Sequence, residues 1–436
     1  MAGLAVFLSA QNSPKGEGFF MRDETHGPGG DPEPSCPTHR GLDPDTVARG
    51  VARHPEPPAC MAMGPAGAFA GLCAPSILPA QALPLADASA CRDTRQAPWS
   101  ETLYGAVDLG TNNCRLLVAR PTPRNFRVVD AFSRIVRLGE GLGSSGRLAT
   151  TAMDRAVSAL EICAGKMRAR GVRRALVIAT EACRAAENGA DFCAMVEERT
   201  GLVLEVVDRR TEAGLAAGGC APLVDPGSEG AVLFDIGGGS TEVVWLGRRS
   251  SGDSGPARGR IRAWVSLPVG VVTLAERHGG VHVTPDVFRA MRLEVAAMLD
   301  GVRQSWGMRP GGRIHLLGTS GTVTTVAGIY LGLERYDRGR VDGAWLSAGQ
   351  IEGVVQRLLG MSFEDRVANP CIGAQRADLV LAGCAIMEAV RRVFPAERLR
   401  VADRGLREGM LVQLMRADGA WRQDSRQAGS SRWERP

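Results

Sequence analysis

Two short stretches of the sequence join an aspartate at the end of an apolar run to a glycine turn rich in hydroxyl and amide side chains. They are VDLGTN at 107–112 and FDIGGGST at 234–241. A third stretch, LLGTSGT at 316–322, has the glycines and hydroxyls without the aspartate. Glycines let backbone N–H groups approach an anion closely, and Ser or Thr hydroxyls add donors beside them. The pattern indicates a site that binds phosphate groups.

The first two turns also bring a carboxylate to the expected phosphate site. Asp108 and Asp235 each end a strand, where a hydrated Mg²⁺ would bridge carboxylate and phosphate oxygens, so we predict both as metal ligands. Ordinary hairpin turns are the alternative, because Asp-Gly and Gly-Gly are common there. The repetition of the turn in two halves of the chain favours a phosphate clamp. Its predicted phosphate-binding residues are Gly110, Thr111, Asn112, Gly237, Gly238, Gly239, Ser240, Thr241, Gly318, Thr319, Ser320, Gly321 and Thr322.

Two familiar nucleotide motifs are not supported. LGEGLGSSGRL at 138–148 superficially matches the dinucleotide fingerprint, but it follows a predicted meander and does not open a strand–helix–strand unit. The sequence has no G-x-x-x-x-G-K-[ST] stretch either. A Rossmann domain and a P-loop are therefore not expected.

The elements around the turns alternate in a way that predicts two similar α/β lobes. Residues 101–227 read as three strands, then helix, strand, helix, strand and helix. Residues 228–416 begin the same way and include one long helix from about Thr284 to Trp306. We expect a cleft between the lobes, with the last helix able to pack back on the first lobe. The proline-rich residues 1–100 read as a disordered extension, or as the result of a start site placed too early, and 417–436 as a frayed tail.

Composition limits the class of protein. The 436 residues carry a formal charge of +5, which is only weak evidence for a polyanionic ligand, and we expect no nucleic-acid partner. No apolar run is long enough for a membrane span. Eleven cysteines without a C-x-x-C pair and six histidines leave little for a zinc site. Reduced thiols in the cytoplasm are the simplest interpretation.

Several motifs occur in an order that resembles one family. They are VDLGTNNCRLLV, ATEACRAAENG, TEA at 211–213, FDIGGGSTEVV, LLGTSGTVTT, RADLVLAGCAIMEA and GLREGML. Together they resemble the exopolyphosphatase and guanosine pentaphosphate phosphohydrolase (Ppx/GppA) family over about residues 103–415, in its short two-lobe form. The resemblance implies an α/β fold of the actin, sugar-kinase and Hsp70 type (ribonuclease H-like), with a phosphate-binding cleft between the lobes.

The resemblance also implies roles for individual residues. Glu212 matches the proposed catalytic base of the family and would accept a proton from the attacking water. Its alternative role is to complement a helix N-terminus. Glu242 matches the end of the second phosphate motif and would orient water or metal, unless it is only a polar strand residue. Arg184 matches an arginine that faces the phosphates, with a surface ion pair as its alternative. Gly214 stands where an arginine is common, which puts the substrate preference in doubt.

These observations predict an Mg²⁺-dependent exopolyphosphatase. The alternative substrate is guanosine pentaphosphate, because the same cleavage at a chain end would need the same residues. A kinase of this fold would need an adenosine pocket and a second substrate. A catalytically weak sensor would bind nucleotide or polyphosphate without releasing phosphate. A homodimer is possible.

Overall fold

The structure of the chain is a computed structural model. It describes residues 81–82, 101–123, 125–248, 260–308 and 312–421, all of which belong to one compact unit, Ala59–Pro436. Apart from residues 81–82, the predicted extension at 1–100 lies outside the described residues, as does most of the predicted tail. No helix of the described residues is long and apolar enough to cross a membrane.

The first lobe is built on a six-stranded sheet. Its strands are β1 (Gln81–Ala82), β2 (Tyr104–Leu109), β3 (Asn113–Pro121), β4 (Phe126–Ile135), β5 (Arg174–Ala179) and β6 (Glu205–Val206). β2, β3 and β4 form an antiparallel meander, whereas β5 pairs with β2 in parallel and β6 pairs with β5 in parallel. The last strand that the sequence predicts in this lobe, LVLEVV at 202–207, is present only as the two residues of β6.

The second lobe repeats this arrangement. Its strands are β7 (Gly230–Ile236), β8 (Thr241–Gly247), β9 (Ile261–Leu267), β10 (Ile314–Thr319), β11 (Trp345–Ser347) and β12 (Arg398–Ala402). β7, β8 and β9 form the meander, and β10 and β12 continue the sheet in parallel beside β7. Both sheets therefore place the first strand of a meander next to a parallel strand. The predicted α/β class with two similar lobes is confirmed.

Helices cover the sheets and link the lobes. They are α1 (Leu142–Ser145), α2 (Thr150–Ala169), α3 (Glu181–Ala185), α4 (Gly189–Thr200), α5 (Arg209–Cys220), α6 (Val271–His278), α7 (Pro285–Met298), α8 (Val302–Ser305), α9 (Gly321–Tyr330), α10 (Arg338–Val341), α11 (Ala348–Leu359), α12 (Phe363–Ala368), α13 (Val380–Val393) and α14 (Leu406–Ala417). The single long helix predicted over 284–306 is wrong. Gly301 adopts a left-handed conformation with φ 71°, which ends one helix and begins the next.

Two helices cross where the lobes join. α5 ends the first lobe and α14 ends the second, and α14 packs against α5 as well as β2 of the first sheet. Glycines allow the two backbones to touch, because a Cβ on Gly409 would lie 1.9 Å from the carbonyl oxygen of Leu215. A Cβ on Gly219 would likewise lie 1.9 Å from the carbonyl oxygen of Gly405. This close crossing fixes the first turn of α5, which carries Glu212, beside the second lobe.

Equivalent turns of the two lobes have the same local geometry. The N–H of Gly110 donates to the carbonyl of Asn113 at 2.8 Å, and the N–H of Gly237 donates to that of Ser240 at 2.9 Å. Asp108 pairs with Arg115 across its meander, whereas Asp235 pairs with Glu242. The repeated sequence pattern thus produces a repeated backbone turn with one aspartate before it.

Candidate active site

A cavity of about 550 Å³ lies between the two lobes. It is lined by most of the residues that the sequence predicts, from the first turn, the second turn, the third turn and α5. They are Asp108, Gly110, Thr111, Asn112, Glu212, Asp235, Gly237, Gly238, Gly239, Ser240, Glu242, Thr319, Ser320, Gly321 and Thr322. Residues more than 200 positions apart are therefore assembled around one space.

Three predicted phosphate-binding residues do not line this cavity. Thr241 is fully buried and its hydroxyl donates to the carbonyl of Val269 at 2.7 Å. Gly318 lies inside β10, where a Cβ would come within 2.7 Å of the Phe234 ring. The guanidinium of Arg184 donates to Glu181, Glu212 and the carbonyl of Val207. In this structure all three residues make protein contacts instead.

The first and second turns touch each other. A Cβ on Gly238 would lie 2.8 Å from the Thr111 Cβ and 3.1 Å from the Asn112 nitrogen. A Cβ on Gly239 would lie 2.9 Å from the Thr111 hydroxyl. The second turn must therefore be glycine for two reasons. Side chains there would block the approach of the opposite lobe, and they would also block the approach of a phosphate. A phosphate placed between these two turns would require them to separate.

The third turn lines the cavity and leads directly into α9. Ser320 caps this ten-residue helix by accepting a hydrogen bond from the Val323 N–H, and its φ of 152° is rarely adopted by residues with a side chain. The hydroxyl of Thr319 donates to the carbonyl of Arg404 at 2.8 Å and so ties this turn to the start of α14. Strained backbone at a helix start that faces a cavity is common at functional sites.

Glu212 enters the cavity from the first turn of α5. This helix begins after Asp208, whose carboxylate accepts a hydrogen bond from the Thr211 N–H at 2.7 Å. Arg184 donates to Glu212 at 3.1 Å. Burial, and then the charge of Glu242, raise the pKa of Glu212 well above its usual value, although Arg184 opposes that shift. A buried carboxylate with a raised pKa suits a general base.

Asp235, Glu242 and Asp108 are among the further carboxylates that line the cavity, and burial together with neighbouring charges disfavours their charged forms. Burial and the charge of Glu212 raise the pKa of Asp235 to about 7. Burial and the charge of Asp235 raise the pKa of Glu242 to about 7, although Ser266 donates a hydrogen bond to it at 2.9 Å. Burial also raises the pKa of Asp108, against the charge of Arg115. A bound cation would stabilise all of these carboxylates in their charged form.

The oxygen atoms available fit a hard divalent cation. In the cavity, the side-chain oxygens of Asn112 and Asn113 are buried and accept no hydrogen bond from the described residues. No group of three or more His, Cys, Asp or Glu side chains in the described part of the chain has the geometry of a complete metal site. Magnesium needs no such group, because it keeps several waters and binds through one or two carboxylates and substrate phosphates.

The cavity also contains cations to which the sequence analysis gave no role. Arg115 of β3, Arg376 before α13 and Arg407 of α14 line it, and none of the three has an ion-pair partner among the described residues. The guanidinium of Arg376 lies over the third turn, 3.5 Å from where a Cβ of Gly321 would be. Arg376 and Arg407 lie in the quoted motifs RADLVLAG and GLREGML. This position within a motif was the signal from which the sequence could have identified them as site residues. The three arginines add positive charge to a cavity whose lining is otherwise rich in carboxylates, and each guanidinium is of the kind that binds phosphate oxygens.

Comparison with known proteins identifies the family. A model of the Ppx/GppA phosphatase family matches residues 117–418. Exopolyphosphatase 2 of Mycobacterium tuberculosis is 29% identical over 337 residues, which are 72% of this chain and 98% of that protein. The match therefore spans nearly all of the relative.

Solved structures give the same result. A Ppx/GppA family member from Aquifex aeolicus has 27% identity and a TM-score of 0.60, covering 73% of this chain and 99% of that one. An exopolyphosphatase-like protein has 28% identity and a TM-score of 0.65, covering 72% and 99%. An exopolyphosphatase from Cytophaga hutchinsonii, at 23% identity and a TM-score of 0.64, covers 72% and 98% and supports the fold alone.

Proposed function

This chain belongs to the Ppx/GppA phosphatase family, and we propose that it is an exopolyphosphatase acting on the ends of inorganic polyphosphate. The observation that carries the proposal is the assembly of Glu212 with three glycine turns around a single cavity. Arginines without an ion-pair partner in the described part of the chain line the same cavity. Similarity to exopolyphosphatase 2 of Mycobacterium tuberculosis supports polyphosphate as the substrate.

The proposed reaction uses the groups that line or adjoin the cavity. Glu212 accepts a proton from water as the water oxygen attacks the terminal phosphorus. The bond from that phosphorus to the bridging oxygen breaks, which releases orthophosphate and a chain shorter by one phosphate. The backbone N–H groups of the turns and the arginines of the cavity stabilise the negative charge on the transferred group. Arg184 holds the Glu212 carboxylate in place through its 3.1 Å contact.

Mg²⁺ completes the proposal as the cofactor. Asp108 and Asp235 would hold it, and the amide oxygens of Asn112 and Asn113 lie in the same cavity. When bound, the ion supplies positive charge that neutralises phosphate oxygens. Thermal unfolding provides a test without turnover, because Mg²⁺ should raise the melting temperature of the wild type and have little effect on Asp108→Asn/Asp235→Asn.

Phosphate release by the purified full chain tests the function. Long-chain polyphosphate and guanosine pentaphosphate are compared side by side, with Mg²⁺ or with a chelator, in the wild type and in Glu212→Gln. We expect Mg²⁺-dependent release from polyphosphate that is lost in the variant. Faster release from guanosine pentaphosphate would reassign the substrate within the family. Release from neither substrate would overturn the proposal.

A further inference from the structure

Glu181 is an acidic residue on the wall of a cavity that is expected to bind anions. It is the first residue of α3, directly after β5 and Thr180. It lines the cavity with a side chain that is only 12% exposed. Its Cγ lies 3.1 Å from where a Cβ of Gly239 would be, so it packs directly against the second glycine turn of the opposite lobe.

Both oxygens of Glu181 are occupied by arginines. Arg184 donates to Oε2 through Nε at 3.0 Å and Nη2 at 2.6 Å. Arg209 donates to Oε1 through Nη2 at 2.7 Å and to Oε2 through Nε at 3.3 Å. A forked contact of this kind is how arginine binds the oxygens of a phosphate group. Glu181 therefore takes the place that a phosphate oxygen pair would take against these two guanidinium groups.

The two arginines depend on Glu181 to different degrees. Arg184 also donates to Glu212 and to the carbonyl of Val207, so it keeps partners without Glu181. For Arg209, the side-chain contacts in the described part of the chain are all with Glu181. Arg209 does not line the cavity, and Glu181 stands between this arginine and the space where substrate would bind. The negative charge of Glu181 therefore offsets the positive charge of Arg209 and reduces its attraction for a phosphate chain in the cavity.

We propose that Glu181 is an affinity-determining residue that cancels the charge of Arg184 and Arg209 behind the cavity wall and keeps polyphosphate binding weak enough for release. The proposal rests on the proposed function, because it takes a phosphate chain to be the ligand of this cavity. Glu181 makes no contact with the reacting atoms in this account; it sets how strongly the wall attracts an anion.

Binding of tripolyphosphate without divalent cations tests the proposal apart from turnover. Glu181→Gln keeps the size of the side chain and removes its charge. Glu187→Gln is the matched control, because Glu187 lies six residues further along, is 69% exposed and pairs with Arg147 on the surface. We expect Glu181→Gln to bind tripolyphosphate about threefold to tenfold more tightly by calorimetry at low salt, with the gain shrinking as salt rises. The control should stay within about twofold of the wild type.

A double variant separates charge from structural relaxation. In Glu181→Gln/Arg209→Gln the net charge of the wall returns to that of the wild type, so the gain in affinity should disappear. A gain that persists in the double variant would overturn the proposal, as would unchanged or weaker binding by folded Glu181→Gln. If Glu181→Gln does not fold, tripolyphosphate binding by Arg209→Gln tests the proposal instead. This substitution leaves the negative charge of Glu181 less compensated, so we expect tripolyphosphate to bind at least about threefold more weakly. Unchanged binding would contradict the proposal.

The kinetic assay keeps the two proposals distinguishable. With polyphosphate and Mg²⁺, Glu181→Gln should lower KM by a similar factor, whereas a purely structural role would lower kcat alone. If the wild type binds tripolyphosphate but releases no phosphate from polyphosphate, the proposed function fails and the role of Glu181 in binding stands. If phosphate is released and Glu181→Gln binds no more tightly, only the present inference fails. A wild type that binds no tripolyphosphate without divalent cations would overturn the present inference, whereas the proposed function is decided by the phosphate-release assay alone.

Discussion

Arg184 and Glu212 form an ion pair, 3.1 Å between Nη2 and Oε2, that joins α3 to the first turn of α5. Arg184 also donates to Glu181 and to the carbonyl of Val207, so most of its N–H groups have protein partners. Its guanidinium does not line the cavity. The structure thus presents Arg184 as a residue that positions Glu212, and the direct phosphate contact remains a prediction.

Glu212→Gln should reduce phosphate release from polyphosphate by at least about 100-fold, because the amide cannot accept the proton of the attacking water. The variant should stay folded, since it removes a charge whose burial is unfavourable. Glu205→Gln is a suitable control, because Glu205 lies on β6 and does not line the cavity. Activity of Glu212→Gln above about a tenth of the wild type would contradict the assignment of the base.

Arg376→Gln should raise KM for polyphosphate about tenfold with a smaller change in kcat. The guanidinium over the third turn has no ion-pair partner in the described part of the chain and is therefore free to bind a phosphate chain. Steady-state kinetics at two salt concentrations measure this change. Arg357→Gln on the exposed face of α11 makes the same charge change away from the cavity and should leave KM within about twofold. Equal effects of the two substitutions would show that only net charge matters.

Gly238→Ala should disturb the contact between the first two turns. Its Cβ would lie 2.8 Å from the Thr111 Cβ and 3.1 Å from the backbone nitrogen of Asn112, so one turn must move. We expect a loss of about 1–3 kcal/mol in the free energy of unfolding and at least a tenfold loss of activity. Denaturant unfolding and phosphate release provide the two measurements.

Gly349→Ala is the matched control for Gly238→Ala. It lies in α11 and a Cβ there would meet nothing within 4 Å, so the substitution should stabilise the protein by about 0.5–1 kcal/mol. If Gly238→Ala behaved like this control, the contact between the turns would have no functional importance.

His315 should make the protein less stable at acidic pH. The ring is 4% exposed, accepts a hydrogen bond from the Asp225 N–H at 3.1 Å and donates to the Leu316 carbonyl at 2.9 Å. Burial lowers the pKa of His315, so the unfolded chain binds a proton at higher pH than the folded protein does. Stability linked to this group is therefore complete above the unfolded pKa of about 6.5 and is lost as pH falls through the lowered pKa.

Denaturant unfolding at pH 7 and pH 5 measures this effect. In His315→Gln the loss of stability on acidification should be smaller than in the wild type. His282→Gln, at an exposed position, should keep the slope of the wild type. An unchanged slope in His315→Gln would show that other groups govern the acid response.

The turns themselves could be predicted from the sequence because their determinants are local. An apolar run that ends in Asp108 or Asp235 and continues into glycines specifies a strand followed by a tight turn, whatever surrounds it. The repetition of this pattern also predicted two α/β lobes. Local reasoning failed at Gly301, where one glycine in a left-handed conformation divides a pattern that otherwise reads as a single helix.

Only the tertiary structure decided which side chains face one another across the cavity. The sequence placed Gly238 in a glycine turn. Only the fold shows that Thr111 of the other lobe occupies the space beside Gly238. It likewise gave no sign that Glu181 binds two arginines or that Arg376 lies over the third turn. Such contacts depend on the direction of side chains and on the approach of segments far apart in the chain. These are set by the packing of whole lobes, here by the crossing of α5 and α14, and not by any short stretch of residues.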